Sequence, residues 1–470
     1  MKVIRSASVN ERRWILSETL GMSNGIVSVA TYTGAQSDRG QLHASIEKAI
    51  NRCVDEHPAL RTIVQDADGG RPQFAQVDNI DLTQHLEYIK SPNTAQDEKQ
   101  QIDAFIEAFH DTRLPPPGTQ PQWRIYISET QAKDACRFHL AFASSHVLID
   151  GLSSLSFQST FLRSMNGFET SENPQPDKTI LPSIEGAGKL KISWSYLLSI
   201  LFKEFFPSWL VKAFGVKVDD LTKVWTGPKS RPSAEFKTGI PPTGFELALI
   251  PDTTVQRALK VCRIHDARLT GLLNFLIARA LHKSLKARGQ TYDNFIVGTA
   301  VDLRKALGHG NQRGMANWVS AHIETITVAE HEDDNITDEI WEGIKQSTAG
   351  LAKTAKTAVD QPIALLKYIS NLKQWLESRA IQPSTASFGT SNLGAFDGTA
   401  SEGTWKVDMA LLYQSGNRTG TPFDIMITSA KNGSMSLIIT WWIGMLGVSD
   451  EKVFMREIMA EIKAGLERAK

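Results

Sequence analysis

One short run of this chain can do chemistry on a small molecule: Ser144-Ser145-His146-Val147-Leu148-Ile149-Asp150-Gly151. An imidazole titrates near neutrality, so His146 can take a proton from an alcohol or amine as that group attacks an electrophile. Gly151 lets the backbone turn tightly beside the reacting atoms, and Asp150 can fix the loop by pairing with an arginine elsewhere. Competing chemistries fail on spacing. Gly389–Gly394 (GTSNLG) is one residue too long for a nucleophile elbow. Gly308–Gly314 (GHGNQRG) places three residues rather than two before its last glycine, so the dinucleotide fingerprint fails. Cys262 and His265 lack a second ligand pair, and no metal is expected. His139 reads as a structural histidine.

The elements that must position His146 follow from hydrophobic periodicity. Arg137–Ser144 alternates Phe138, Leu140 and Phe142, which predicts a strand ending just before the histidine, and a helix is expected across Leu155–Met165. Trp123–Ser128 reads as a second strand, and Gln41–Val54 as an amphipathic helix stopped by Pro58. In the second half, Gly244–Ile250 and Phe295–Asp302 read as strands, and Leu269–Lys286, Ile340–Leu351 and Ile363–Leu376 as helices. Thr404–Gln414, Thr421–Ala430 and Ser434–Trp442 alternate as three further strands. Strands and helices interleaved without a strict βαβ rhythm favour an α+β arrangement of mixed sheets.

Two irregular zones, Asn166–Pro182 and Trp225–Pro242, divide the chain. They set an N-terminal lobe at 1–180, a connector at 181–235 and a C-terminal lobe at 236–470. Within the connector, Ile192–Val216 is strongly apolar, but Lys203, Glu204 and Pro207 interrupt it, so it makes a poor membrane span and reads first as an apolar covering segment or core helix. The 51 basic residues balance 51 acidic ones, which argues against nucleic acid or an anionic membrane as the main partner. Three scattered cysteines exclude a disulfide scaffold and fit a reducing compartment. The expected location is cytoplasmic, with 192–216 as the segment open to a peripheral membrane contact.

The His146–Gly151 run, followed by FQSTFLRSMN at 157–166, resembles the fungal alcohol acetyltransferase family, relatives of the plant BAHD acyltransferases and of condensation domains. Further landmarks match in order: Ser8–Tyr32, Asp55–Arg61 (DEHPALR), Leu181–Trp194, Val301–Arg304 (VDLR), Met315–Ser320 (MANWVS), Ser391–Gly394 (SNLG) and Tyr413–Ser415 (YQS). The plant family's D-F-G-W-G block has no counterpart, which favours the fungal branch. The resemblance implies two chloramphenicol-acetyltransferase-like lobes, each a mixed sheet flanked by helices, with a tunnel between them.

It also implies acetyl-CoA, or another acyl-CoA, as co-substrate, a small-molecule alcohol as acceptor and His146 as general base, in a monomer. Asp150 becomes structural, with Arg304 as its candidate partner. Ser391, Asn392 and Gln414 become candidates for substrate or oxyanion contact, and Asn317 and Trp318 for the acceptor pocket or for core packing. Two alternatives stay open: an amine acceptor or a carrier-protein thioester donor, and a non-catalytic binding scaffold of condensation-domain type.

Overall fold

The computed structural model describes residues 2–34, 38–68, 70–90, 97–130, 135–168, 179–205, 223–228, 242–310, 314–328, 335–399 and 403–469. The first half supplies strands β1 (Lys2–Ser6), β2 (Ile26–Gly34), β3 (Thr62–Gln65), β4 (Gln73–Gln76), β5 (Leu86–Tyr88), β6 (Trp123–Thr130) and β7 (Cys136–Ser144). Its helices are α1 (Val9–Thr19), α2 (Arg39–Glu56), α3 (Glu98–Glu107) and α4 (Gly151–Met165). The connector holds α5 (Ile184–Ala187) and α6 (Trp194–Phe205). The second half supplies β8 (Thr243–Ile250), β9 (Asn294–Asp302), β10 (Val319–Thr327), β11 (Phe388–Phe396), β12 (Lys406–Gln414), β13 (Phe423–Ala430) and β14 (Met435–Trp442). Its helices are α7 (Asp252–Ile264), α8 (Leu269–Lys286), α9 (Asp338–Ala355), α10 (Leu372–Ile381) and α11 (Glu451–Arg468).

Two mixed sheets result, ordered β12-β2-β7-β6-β5 and β10-β9-β11-β13-β14-β8, beside a small antiparallel sheet of β1, β4 and β3. On β7, Phe138, Leu140 and Phe142 pack against Ile46, Ile50 and Cys53 of α2 and Phe157 and Phe161 of α4. This is the core of the first lobe. In the second lobe, α8 is buried on nearly every side, packing against the sheet and α11 through Leu272, Leu276 and Leu281. A third cluster joins the lobes: Val27, Val29 and Ala141 of the first sheet meet Leu247, Met426 and Ile438 of the second.

The chain order misassigns one strand. Lys406–Gln414 falls inside the expected 236–470 lobe, yet β12 pairs antiparallel with β2 along the edge of the first sheet. Both of its faces explain this. Val407 and Ala410 enter the first lobe's core, while Met409, Leu411 and Tyr413 enter the cluster between the lobes. The expected helix 363–376 is also corrected. A 3-10 turn at Pro362–Tyr368 precedes α10, because Asn371 caps a new helix by accepting from the Gln374 amide. Residues 169–178, 206–222 and 229–241, on which parts of the expected lobe exits and connector fall, lie outside the described residues.

Candidate active site

His146 stands two residues beyond β7, and α4 begins at Gly151, four residues earlier than periodicity suggests. The reason is Asp150, the N-cap, whose carboxylate accepts from the Ser153 amide at 2.9 Å and the Ser153 hydroxyl at 2.8 Å. The loop is therefore held between a strand end and a capped helix. Gly151 must be small: a Cβ there would come within 2.9 Å of Leu393 and 3.1 Å of Leu412.

Asp150 is fully buried and faces a fork-on-fork partner. Arg304 donates through Nη1 to Oδ2 at 2.8 Å and through Nη2 to Oδ1 at 2.9 Å, and the Trp318 amide donates to Oδ2 at 3.1 Å. Burial pushes the Asp150 carboxyl up, but the guanidinium outweighs it and the net direction is down. Arg304 also binds Asp302 Oδ1 at 2.7 Å and the Ala316 carbonyl at 3.0 Å. This one arginine stitches the start of α4 to the β9–β10 connection, which belongs to the other lobe.

The His146 ring stacks on Trp14 of α1, with centroids 4.2 Å apart and planes 25° off parallel. The Arg13 guanidinium lies 4.3 Å from the Trp14 ring centre. Asn317 donates its side-chain amide to the His146 carbonyl at 2.5 Å, and the same nitrogen is 3.1 Å from His146 Nδ1. Glu18, one turn beyond Trp14, accepts from the Ser145 hydroxyl at 2.7 Å and the His146 amide at 2.9 Å. Burial lowers the His146 imidazole to about 4; Asp150 opposes this and Arg13 adds to it. At neutral pH the ring is neutral and can accept a proton. Burial raises Glu18 to about 7 against the pull of its Ser145 and His146 hydrogen bonds.

A cavity of about 460 Å³ opens on His146 between the lobes. His146, Gly151, Arg304, Ser391, Asn392 and Gln414 all line it. Asn392 donates to Thr270 Oγ1 at 3.0 Å, and Gln414 donates to Asp424 Oδ2 at 2.9 Å. Asn317 and Trp318 depart from the expected pocket contact. Asn317 spends its amide on His146, and Trp318 is wholly buried among Ile184, Val301 and Leu303, with its indole N–H on the Pro182 carbonyl. His139 has its Nδ1 2.9 Å from the Thr31 hydroxyl, away from the cavity.

Sequence reasoning missed Trp14, Glu18, Thr390 and Asp424. Trp14 and Glu18 stand four apart, on one face of a helix whose capping box (Ser8 and Glu11) was readable in the sequence. Thr390 lines the cavity with its hydroxyl buried and without a partner among the described residues. Asp424, buried beside Thr421 and Gln414, is pushed up by burial against those two hydrogen bonds. A larger cavity of about 770 Å³ between α8, α9 and β10 holds none of the expected site residues. Among the described residues no cluster of His, Cys, Asp and Glu could hold a metal ion.

Solved structures of condensation-domain-like proteins share this two-lobe fold. The trichothecene 15-O-acetyltransferase TRI3 of Fusarium sporotrichioides superposes with a TM-score of 0.67 at 13% identity, covering 97% of this chain and 94% of that one. The first condensation domain of the calcium-dependent antibiotic synthetase superposes with a TM-score of 0.64 at 14% identity, covering 99% and 97%. The chain belongs to the alcohol acetyltransferase family, whose model matches residues 84–463, and it is therefore an acyltransferase. A probable alcohol acetyltransferase of Fusarium pseudograminearum, FCK4, is 22% identical over 468 residues, covering 94% of this chain and 91% of its own. Another from Aspergillus fumigatus, crmB, is 20% identical over 453 residues, covering 91% and 92%.

Proposed function

We propose that this enzyme moves an acetyl group from acetyl-CoA to a hydroxyl of a small secondary metabolite, with His146 as general base. The observation that carries the reading is a neutral imidazole stacked on Trp14, its loop held by Asn317 through the His146 carbonyl, facing the cavity between the lobes. The mechanism uses the tautomer that carries its proton on Nδ1, in which the Asn317 amide is spent on the His146 carbonyl alone and Nε2 is free to accept. Nε2 takes the acceptor's proton as its oxygen attacks the thioester carbon. The tetrahedral intermediate then collapses, the C–S bond breaks, and the thiolate recovers the proton from the imidazolium. Thr390, Ser391 and Gln414 offer donors to the transient oxyanion. Holding both substrates in one cavity lowers the barrier without an acyl-enzyme, and one chain contains the whole site.

Acetyl as the acyl group and an alcohol as the acceptor rest on the names of the relatives. A starter condensation domain of this fold, from the rhizomide synthetase, is known in complex with C8-CoA, which supports a coenzyme A thioester as donor. The test incubates purified protein with acetyl-CoA and alcohol or amine acceptors, following release of free thiol and the mass gain of the product. His146→Ala should reduce turnover by at least about a thousandfold while leaving the melting curve in place. Turnover surviving in that variant would remove His146 as base. Transfer only to amines, or only from a carrier-bound thioester, would replace the acceptor or donor named here.

A further inference from the structure

The connector helix does not bury its apolar side. On α6, Trp194, Leu198 and Leu201 recur at one face with 78%, 55% and 41% of their surface exposed. Beside the start of this helix runs the chain after α9. Lys191 bridges to Val359, the Lys191 amide donates to the Ala358 carbonyl at 3.1 Å, and the Ser193 amide and hydroxyl both donate to Asp360. Val359 and Tyr368, on that neighbouring segment, are 41% and 54% exposed. Of the twelve large apolar side chains exposed among the described residues, five therefore lie on two short segments. Single exposed apolar residues are ordinary on any surface; this concentration is not.

Charge is concentrated on the same two segments. Stretches 189–201 and 353–373 carry six exposed lysines, Lys189, Lys191, Lys353, Lys356, Lys367 and Lys373, in a chain whose total charge is zero. The acid within these two stretches, Asp360, is engaged by Ser193, and the last turn of α6 adds one more acid, Glu204, beside Lys203 in sequence. Lys367 also lies over the Tyr368 ring, 5.0 Å from its centre. Tryptophan and leucines on an exposed helical face, with lysines beside them and almost no acid, fit the boundary between water and an anionic lipid leaflet. There the rings and leucines enter the acyl boundary and the ammonium groups meet the headgroups. No helix among the described residues is long and apolar enough to cross a membrane, so the contact is one of lying on the surface.

We propose that this surface, formed by α6 and the 358–368 segment, docks the enzyme peripherally on anionic lipid bilayers. The proposal is independent of which acceptor or donor the active site takes. Full-length protein is sedimented with vesicles of phosphatidylcholine alone and of phosphatidylcholine mixed with phosphatidylserine. It should pellet with the anionic vesicles and be released by added salt. Leu198→Glu combined with Leu201→Glu, and separately Lys189→Glu combined with Lys191→Glu, should each cut the bound fraction by about tenfold. The melting temperatures of these variants should stay put, since the changed side chains are exposed. Absence of pelleting with anionic vesicles overturns the proposal, as does undiminished pelleting of either double variant. Equal binding to phosphatidylcholine alone overturns the role given to the lysines. Capture of an acidic protein by this face without vesicle binding overturns the choice of lipid.

Discussion

Changing Asp150 to asparagine keeps the shape of the side chain and removes its charge, which makes it a sharp probe of the buried pair. Asp150 accepts five hydrogen bonds, two of them from Arg304. An asparagine can leave its oxygen on Ser153, but its NH2 then faces the Arg304 and Trp318 N–H groups, donor against donor. The flipped amide moves the same conflict onto the Ser153 amide and Arg304 Nη2. Leaving a buried guanidinium without its main counter-ion costs about 3–5 kcal/mol, with Asp302 as the remaining carboxylate on Arg304 among the described residues. At roughly 2.1 cal/mol/K of unfolding entropy per residue, a 470-residue chain melting as one unit loses about 1 °C per kcal/mol. The midpoint should therefore fall by about 3–5 °C, and by about twice that if the first lobe melts alone. Circular dichroism melts and urea titrations of the purified variant read this directly. Adding Arg304→Met to Asp150→Asn should cost less than the sum of the two single losses. An unmoved midpoint accompanied only by slower turnover would refute the structural role given to Asp150.

The remaining predictions concern the same loop. Gly151→Ala should lose about 1–3 kcal/mol by driving a methyl group against Leu393 and Leu412, measured by denaturant midpoint; an unchanged midpoint would show that these leucines yield freely. Because burial holds His146 near 4, kcat/KM should persist through mildly acidic pH and lose its base only near pH 4; a limb at 6.5 would show that the ring is solvated. Glu18, raised to about 7 in the fold, favours the folded state when protonated, so its contribution is full below its unfolded value and is lost as pH rises through about 7. The melting temperature of Glu18→Gln relative to the unmodified protein should accordingly rise between pH 4.5 and 7.5; a flat difference would remove Glu18 from the titrating groups.

How far the sequence can be read depends on the range of the interactions involved. The strand before His146 and the buried helix Leu269–Lys286 follow from local alternation and periodicity, and both were legible to within a residue or two. Ser391, Asn392 and Gln414 reached the cavity lining because landmark order along the chain stands in for distance in space. Trp14 and Glu18 were hidden because nothing near them in sequence says that α1 leans on the 145–146 loop. Trp318 was left between pocket and core for the converse reason: an aromatic beside a polar landmark serves either equally well, and here Arg304 and Ile184 surround it. The location of β12 was illegible because its alternation fits either sheet. The open edge of β2 decides it, and that edge exists only in three dimensions.

The same strand constrains how the protein comes into being. Gln414 pairs with Ile26 and Lys406 with Thr33, so almost the whole chain separates the partners of that ladder. On a ribosome, the sheet that carries His146 emerges with an unpaired edge and keeps it until the second lobe is nearly complete. Pairing so remote in sequence closes slowly, and an edge exposed for that long is a template for misassembly. Separate expression of the first lobe should leave β2 uncovered and the product prone to aggregate, whereas supplying the 406–414 strand in the same chain closes the sheet and the catalytic cleft in one event.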